Sequence, residues 1–259
     1  MRQARLKADP RAEVAYYHCI SRVVGREFLL GEAEKEQFVA LLREYERFCG
    51  VRVLTYCVMS NHFHVLVEVP RRPEKPLTDE ELVARLYGLS GLSEAATIEQ
   101  RLGWLRERGQ HGAAEVLRER VMARMWDVSG FMKLLKQRYT QWYNRLHDRT
   151  GTLWEARFKS VLVEGAGHPL ATMAAYIDLN PVRAKLVLDP KDYRWCGYAA
   201  AVAGEAGAVE GLGRVLASVE GHRKAGAEAL RRYRCWLYGQ GEEREGVTEA
   251  GEPLRPGLS

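Results

Sequence analysis

The chain of 259 residues lacks any apolar run approaching the ~18 residues that a membrane span needs. Its start, "MRQARLKADPRAEVAYY", is positively charged but has no apolar stretch behind it, so no secretory signal is legible. Cysteine is sparse and scattered. Cys19, Cys49, Cys57, Cys196 and Cys235 are odd in number and never form a C-x-x-C pair. That argues against a zinc finger or a disulfide framework and for a reduced, cytoplasmic compartment. There is no G-x-x-x-x-G-K-[ST] loop to cradle ATP phosphates, and no internal repeat.

What is present is a mild excess of positive charge, +5 overall. Its distribution says more than its sum. Between Lys133 and Lys159 stand Lys133, Lys136, Arg138, Arg145, Arg149, Arg157 and Lys159, against only Asp148 and Glu155. Tyr139, Trp142, Tyr143, Trp154 and Phe158 are interleaved with them. Cations for phosphates and flat rings for bases make up a single-strand nucleic-acid surface. On that ground Lys133, Arg138, Trp142, Arg145, Arg149, Trp154, Arg157 and Lys159 are the candidate DNA contacts. A solvated helix face backed by core aromatics has the same composition.

Hydrophobic periodicity reads β-α-β-β over the first seventy residues: strands at 14–24, 51–59 and 62–69, and an amphipathic helix at 32–50 ending at Gly50. This is the opening of a ferredoxin-like sandwich, with the hairpin expected in the middle of the sheet. "PRRPEKPLTDEE" breaks the pattern, and two or three inserted helices are expected from about 78 to 125. A helix at 129–148 follows, with Ser129 as N-cap and Phe131, Leu135, Trp142 and Leu146 along its apolar side. A strand at 157–165 and a helix at 168–180 complete the core, and Pro181 marks that helix's end or a kink. The expected fold is α+β: a βαββαβ sandwich with an antiparallel central sheet. The organisation read is one domain over 10–200 with a helical insertion at about 71–128. A helical extension over 201–259 follows, with a helix near 224–238 and a polar, Gly-rich tail read as disordered.

His62 and His64 are two apart on a strand, so both imidazoles point to one face. Neutral imidazole is a common metal ligand. Two rings grip one ion when their other nitrogens are held, and a strand-edge pair that merely packs has the same spacing. With no cysteine or further histidine at ligand spacing, a hard ion such as Mg²⁺ or Mn²⁺ is favoured over zinc. Tyr176 and Asn180 share a helix face. Tyrosine beside a metal-bound phosphate is a nucleophile that leaves a phosphotyrosine. An ordinary core tyrosine is the competing reading. Tyr139 and Tyr143 are rivals for the role, although their alternation with Trp142 suits packing better. His18, in the first strand, is read as a core histidine, with a place near the site as the competing reading. His111, His147, His168 and His222 carry no motif.

Four strings occur in order: "NHFHVLVEVP" (61–70), "GTLWEARFKS" (151–160), "YIDLNPVRAKLV" (176–187) and "DYRWCGY" (192–198). Together they resemble the REP-associated tyrosine transposases, in the single-tyrosine branch of the HUH endonucleases. Ser60, Ala156 and Cys196-Gly197 depart from that pattern without touching the candidate site. The resemblance implies that His62 and His64 are paired metal ligands and that Tyr176 cuts single-stranded DNA. It implies that Asn180 fills the place of a third ligand. The expected activity is cleavage and rejoining of single-stranded DNA at hairpins of short palindromic repeats, through a 5′-phosphotyrosine. A hairpin DNA- or RNA-binding regulator that does not cleave, and a water-using phosphodiesterase, are the rival readings. Whether the chain acts alone or as a homodimer is open in the sequence.

Overall fold

The structure is a computed structural model and describes residues 6–9, 11–89, 94–221 and 226–241. Strands β1 (Val14–Arg22), β2 (Arg52–Val58), β3 (His62–Pro70) and β4 (Lys159–Val163) form one antiparallel sheet in the order β2-β3-β1-β4. With helix α1 (Glu32–Cys49) between β1 and β2, and α5 (Val128–Leu146) between β3 and β4, this is the ferredoxin-like βαββαβ order. The β2–β3 hairpin is not central as expected. It lies at one edge with β2 outermost, and β3 and β1 are the inner strands.

Alternation along the strands builds two different faces. Phe63, Val65 and Val67 of β3 pack with Tyr17 and Cys19 of β1 against α1 and α5, where Phe38, Leu42, Phe131, Leu135 and Tyr139 close the main core. Helix α1 stops at Gly50, whose φ of 65° is left-handed backbone that glycine takes without strain. Helix α5 begins two residues earlier than its expected cap allows. Asp127, not Ser129, is the N-cap, its carboxylate accepting from the Gly130 N–H at 2.8 Å. Leu146 is exposed rather than part of the apolar stripe, because Tyr139 and Tyr143 take the buried side of that end of the helix.

Among the described residues three helices fill the insertion: α2 (Asp79–Tyr87), α3 (Glu94–Glu107) and α4 (His111–Met122). Thr78 and Glu81 form a capping box at the start of α2. Arg106 and Arg118 lace the three helices together by pairing with Asp79 and Glu115 over a small apolar cluster of Val83, Leu102, Leu105 and Ala114.

The second sheet face is covered by α6 (His168–Asp178), α8 (Gly197–Val202), α9 (Ala206–Glu220) and α10 (Gly226–Gly241). Leu54 and Leu66 of the sheet meet Leu170, Ala171, Ala174 and Ile177 of α6 and Leu212, Val215 and Leu216 of α9. The C-terminal helices thus share one core with the sheet, and α8 spans the boundary read at 200. His222 and the tail from residue 242 lie outside the described residues. Among those residues, no helix is long and apolar enough to cross a membrane.

Candidate functional site

Strand pairing places the histidines before any side chain is considered. His62 is opposite Arg22, His64 opposite Ile20, and Leu66 opposite His18. On the other side of β1, Ile20 faces Lys159 and His18 faces Val161. Paired residues point to the same side, so His62, His64, His18, Arg22 and Lys159 all lie on the face that α6 covers. Phe63 points the other way and is fully buried.

Helix α6 lies close over this face because its inner side is built of Ala171, Ala174 and Ala175, which keep little volume between helix and sheet. Tyr176 projects from the outer side of its last turn. Its ring centroid is 5.9 Å from that of His64 and 6.1 Å from that of His18, and the side chain is 36% exposed. The His62 and His64 rings are 5.1 Å apart. Two imidazoles and a reachable phenol therefore converge from two elements more than a hundred residues apart.

Each histidine of the pair has its inner nitrogen engaged. His62 Nδ1 lies 2.6 Å from Asn61 Oδ1. An amide oxygen only accepts, so Nδ1 carries the proton and Nε2 keeps its lone pair. The Asn61 amide is itself oriented by donating Nδ2–H to the Arg26 carbonyl at 3.1 Å. His64 Nδ1 lies 2.9 Å from His18 Nε2, with the two rings stacked at 5.1 Å. One proton is shared across that contact. If His64 donates it, the outer Nε2 of His64 also presents a lone pair. Burial holds all three rings neutral, lowering His18 to about 4, His62 to about 4 with help from the Arg22 guanidinium, and His64 to about 3, where the competing ionisation of His18 and His62 and the Arg22 guanidinium add to burial.

These residues fit a divalent ion at two imidazole positions with both partner nitrogens tied down. Among the described residues, no three His, Cys, Asp or Glu side chains assemble into a fuller ligand group, so the remaining ligands are oxygens from elsewhere. Asn180 is the expected third ligand. Its Nδ2 is turned back on the helix, donating to the carbonyls of Tyr176 at 2.9 Å and Ile177 at 3.3 Å. The reason is Pro181, which has no N–H for the Ile177 carbonyl, so Asn180 supplies the missing donor. Only its Oδ1 is left for a metal. Pro181 also marks a break, as expected: α6 ends at Asp178 and a short α7 (Asn180–Arg183) follows. Arg183 donates to the Tyr176 carbonyl at 3.0 Å and lies 5.0 Å over its ring.

The helix is anchored from behind. Asp178, two residues after Tyr176 and on the opposite side of α6, is fully buried. It accepts from Thr55 Oγ1 on β2 at 2.6 Å, from the Tyr198 N–H on α8 at 3.2 Å and from the Tyr233 hydroxyl on α10 at 2.6 Å. Burial still pushes its carboxyl up to about 7, against the pull of those three donors. Gly197 makes the α8 contact possible, since a Cβ there would sit within 3.0 Å of Thr55 backbone. The Gly-rich lead-in to α6 is pinned to α9: the Gly167 N–H donates to the Ser218 carbonyl at 2.8 Å.

The expected DNA contacts divide. Arg145, Arg157 and Lys159 are exposed, and Lys159 flanks the histidines. Trp154 is a correction. It is buried, its indole donates to the Lys136 carbonyl at 3.2 Å, and it packs on Phe63, so it offers no face to a base. Trp142 is half-buried against Tyr139, and the Arg149 guanidinium lies over Tyr143. Lys133 and Arg138 lie on the far side of α5, away from the histidines. Tyr139 and Tyr143 are buried on the α1 side of the sheet, the Tyr139 hydroxyl donating to the Glu34 carbonyl, so neither reaches the histidine pair. Asn61, Arg22, Asp178 and Arg183 carry no signal in the sequence that singles them out as site residues, and the core reading of His18 gives way to a place beside the pair. For His18 the one available signal was strand alternation with Ile20 and Arg22.

Residues 12–79 match the family of IS200-like transposases. The matched segment contains both histidines and ends before Tyr176. The fold is similar to that of a solved REP-associated tyrosine transposase bound to a REP hairpin, with a TM-score of 0.50 and 12% identity over 78% of this chain and 86% of that one. The resemblance carried by the four motifs is thus borne out in the sequence of the first third and in the α+β fold. No curated protein matches the chain.

Proposed function

We propose that the chain is a metal-dependent DNA transposase that cleaves and rejoins single-stranded DNA, at hairpin or palindromic repeat sequences, through Tyr176. The observation that carries this is the convergence of Tyr176 on His64 and His18 across the sheet face. The IS200-like match over the histidine segment supports the same class. The relative of similar fold is bound to a hairpin, which favours hairpin DNA as the partner.

His62 and His64 would hold the ion through their outer nitrogens, with the Asn180 carboxamide oxygen as a further ligand. When bound, a divalent ion supplies charge neutralisation at the scissile phosphate. The chain's own residues do the rest. Asn61 and His18 fix the two imidazoles in place. Arg22 and Lys159, on the same face, offer cations to the DNA backbone beside the histidines. Asp178 and Arg183 hold the end of α6 so that the Tyr176 hydroxyl meets the phosphate in line. The phenol oxygen forms a bond to phosphorus, the P–O3′ bond breaks, and the phenolic proton passes to solvent as the O3′ leaving group takes one up. The phosphodiester is conserved as a 5′-phosphotyrosine, and attack by a new 3′-hydroxyl reverses the step without ATP.

Labelled hairpin oligonucleotide incubated with Mn²⁺ and run under denaturing conditions should give a protein–DNA adduct. Tyr176→Phe should abolish the adduct and cleavage together and leave DNA affinity within about twofold, since it removes one oxygen that only the reaction needs. An adduct persisting in Tyr176→Phe refutes the nucleophile. Cleavage without any adduct points to water as nucleophile, and tight hairpin binding with neither points to a regulator.

A further inference from the structure

The inserted helices create a groove that the chemistry above does not use. It measures about 500 Å³ and runs between α3, the end of α4 and the outer side of α5, with Tyr45 and Phe48 of α1 in its floor. Since α1 and α5 cover the sheet face opposite to the histidines, the groove is on the far side of the sheet from Tyr176.

Its charge is one-sided. Among the described residues Arg101, Arg120, Arg124, Lys133 and Arg138 line it, with Glu94 as the one carboxylate. Arg101, Arg120, Arg124 and Lys133 are exposed and form no ion pair with a described residue. That is not for want of acids in the insertion. Asp79, Glu115 and Glu119 are all engaged, but with Arg72, Arg106 and Arg118, which lie outside the groove. The insertion thus neutralises the arginines that hold it together and leaves its own groove-facing Arg101, Arg120 and Arg124 without an acidic partner among the described residues. Lys133, Gln137 and Gln141 follow one another at four-residue intervals along α5, a row of donors about 6 Å apart.

We propose that this groove binds the phosphodiester backbone of the DNA substrate, in a segment flanking the one presented to Tyr176. The inference rests on the DNA reading above and deepens it. Unpaired cations in a concave wall focus a positive potential that suits a polyanion. The apolar floor suits the sugars of a nucleic-acid strand better than it suits a fully hydrated anion. Position excludes the scissile phosphate itself, so the bound segment is one the enzyme holds but does not cut.

Fluorescence anisotropy with a hairpin carrying long single-stranded flanks, and with a short oligonucleotide spanning the cleavage site alone, tests this. Arg101→Gln, Arg120→Gln and Arg124→Gln combined should weaken binding of the long DNA about tenfold or more at moderate salt. They should lower the slope of log affinity against log salt by about 2 to 3, one counterion per lost contact. Affinity for the short oligonucleotide, and its conversion to adduct, should not change. Methylphosphonate substitution in the flank should weaken the wild-type protein to the same extent, without any change to the protein. Unchanged affinity and slope for the long DNA overturn the proposal, as does equal weakening for both oligonucleotides. A loss of polyglutamate binding that exceeds the loss of DNA binding overturns it in favour of an acidic protein partner. Binding is read without cleavage. Loss of flank binding in a protein that never forms an adduct therefore sinks the transferase reading and keeps the groove. Adduct formation with unaltered flank binding sinks the groove alone.

Discussion

On β3, Phe63 and Val65 point into a core closed by α1 and α5, while His62 and His64 point under α6. The two faces are one residue apart in sequence. On the first face every position of β3, from Phe63 through Val65 and Val67 to Val69, is apolar and buried, with the Phe38 ring 4.5 Å from Phe63 and Trp154 edge-on at 5.3 Å. On the second, Leu66 and Val163 are apolar and buried, Glu68 is buried and paired with Arg52 and Arg214, and the outer end carries imidazoles, cations and a half-open tyrosine. A strand that is buried on both faces spends one on stability. The other can carry groups that are costly to bury, because rigid packing beneath fixes where they point.

The sharpest way to break this comparison is to truncate neighbours on opposite faces. Phe63→Ala should cost about 3–5 kcal/mol of stability, as for other fully buried phenylalanines, while the molecules still folded keep their rate of cleavage. His62→Ala should abolish metal-dependent cleavage and change stability by only about 1 kcal/mol, since its ring is half-buried and replaceable by water. Urea melts and single-turnover cleavage on both variants decide it. Equal stability losses, or cleavage surviving in His62→Ala with chelator present, would erase the distinction between the faces.

A smaller effect is expected at His18, which sits beneath the pair and not in it. His18→Phe keeps the stacked ring but cannot take the proton of His64 Nδ1. Mn²⁺ affinity, followed by electron paramagnetic resonance, should fall about 10- to 100-fold, the usual cost of losing a ligand's outer partner. His18→Gln, whose amide oxygen accepts, should recover part of it. Nitrogen-15 spectra should place the His64 proton on Nδ1 in the wild type. Unaltered Mn²⁺ affinity in His18→Phe would leave His18 as packing only.

The sequence made the His62/His64 pair legible because strand alternation is local, and the order of elements because each has its own period. It was silent where long-range register decides. His18 meets His64 only because β1 pairs with β3 with Ile20 opposite His64, a fact no local pattern carries. Trp154 looked like a stacking residue because exposure cannot be read from composition, and it belongs to the core that α1 and α5 close. The hairpin was placed too centrally because the position of β2 depends on which strand β1 chooses. Asp178 was overlooked for a related reason. A single acid in "YIDLN" has no periodic signature, and its three partners come from residues 55, 198 and 233.

Asp178 sets the finest comparison between the two sides of α6. Tyr176 faces the site and Asp178 faces the core, so the same turn of helix holds the reacting oxygen and its anchor. The anchor's carboxyl is raised to about 7 in the folded protein, chiefly by burial, against about 3.9 in an unfolded chain. Below about pH 4 both states are protonated and the group adds no pH dependence. Between about 4 and 7 the folded state keeps a proton that the unfolded state releases, so stability falls as pH rises, by up to about 1.4 kcal/mol per pH unit. Above 7 the loss is complete, because the folded protein then buries a charge. His18, His62 and His64 are shifted the opposite way, below their ordinary value, and add stability as pH rises toward 6.5. They are present in wild type and Asp178→Asn alike, so they cancel in the difference. Asparagine can still accept from Thr55 and the Tyr198 N–H, while its amide donates to the Tyr233 oxygen. The stability of wild type relative to Asp178→Asn, from urea melts between pH 5 and 8, should therefore decline with rising pH and level off above 7. Parallel curves for the two proteins would mean that Asp178 titrates as an ordinary carboxylate, and that its three donors outweigh its burial.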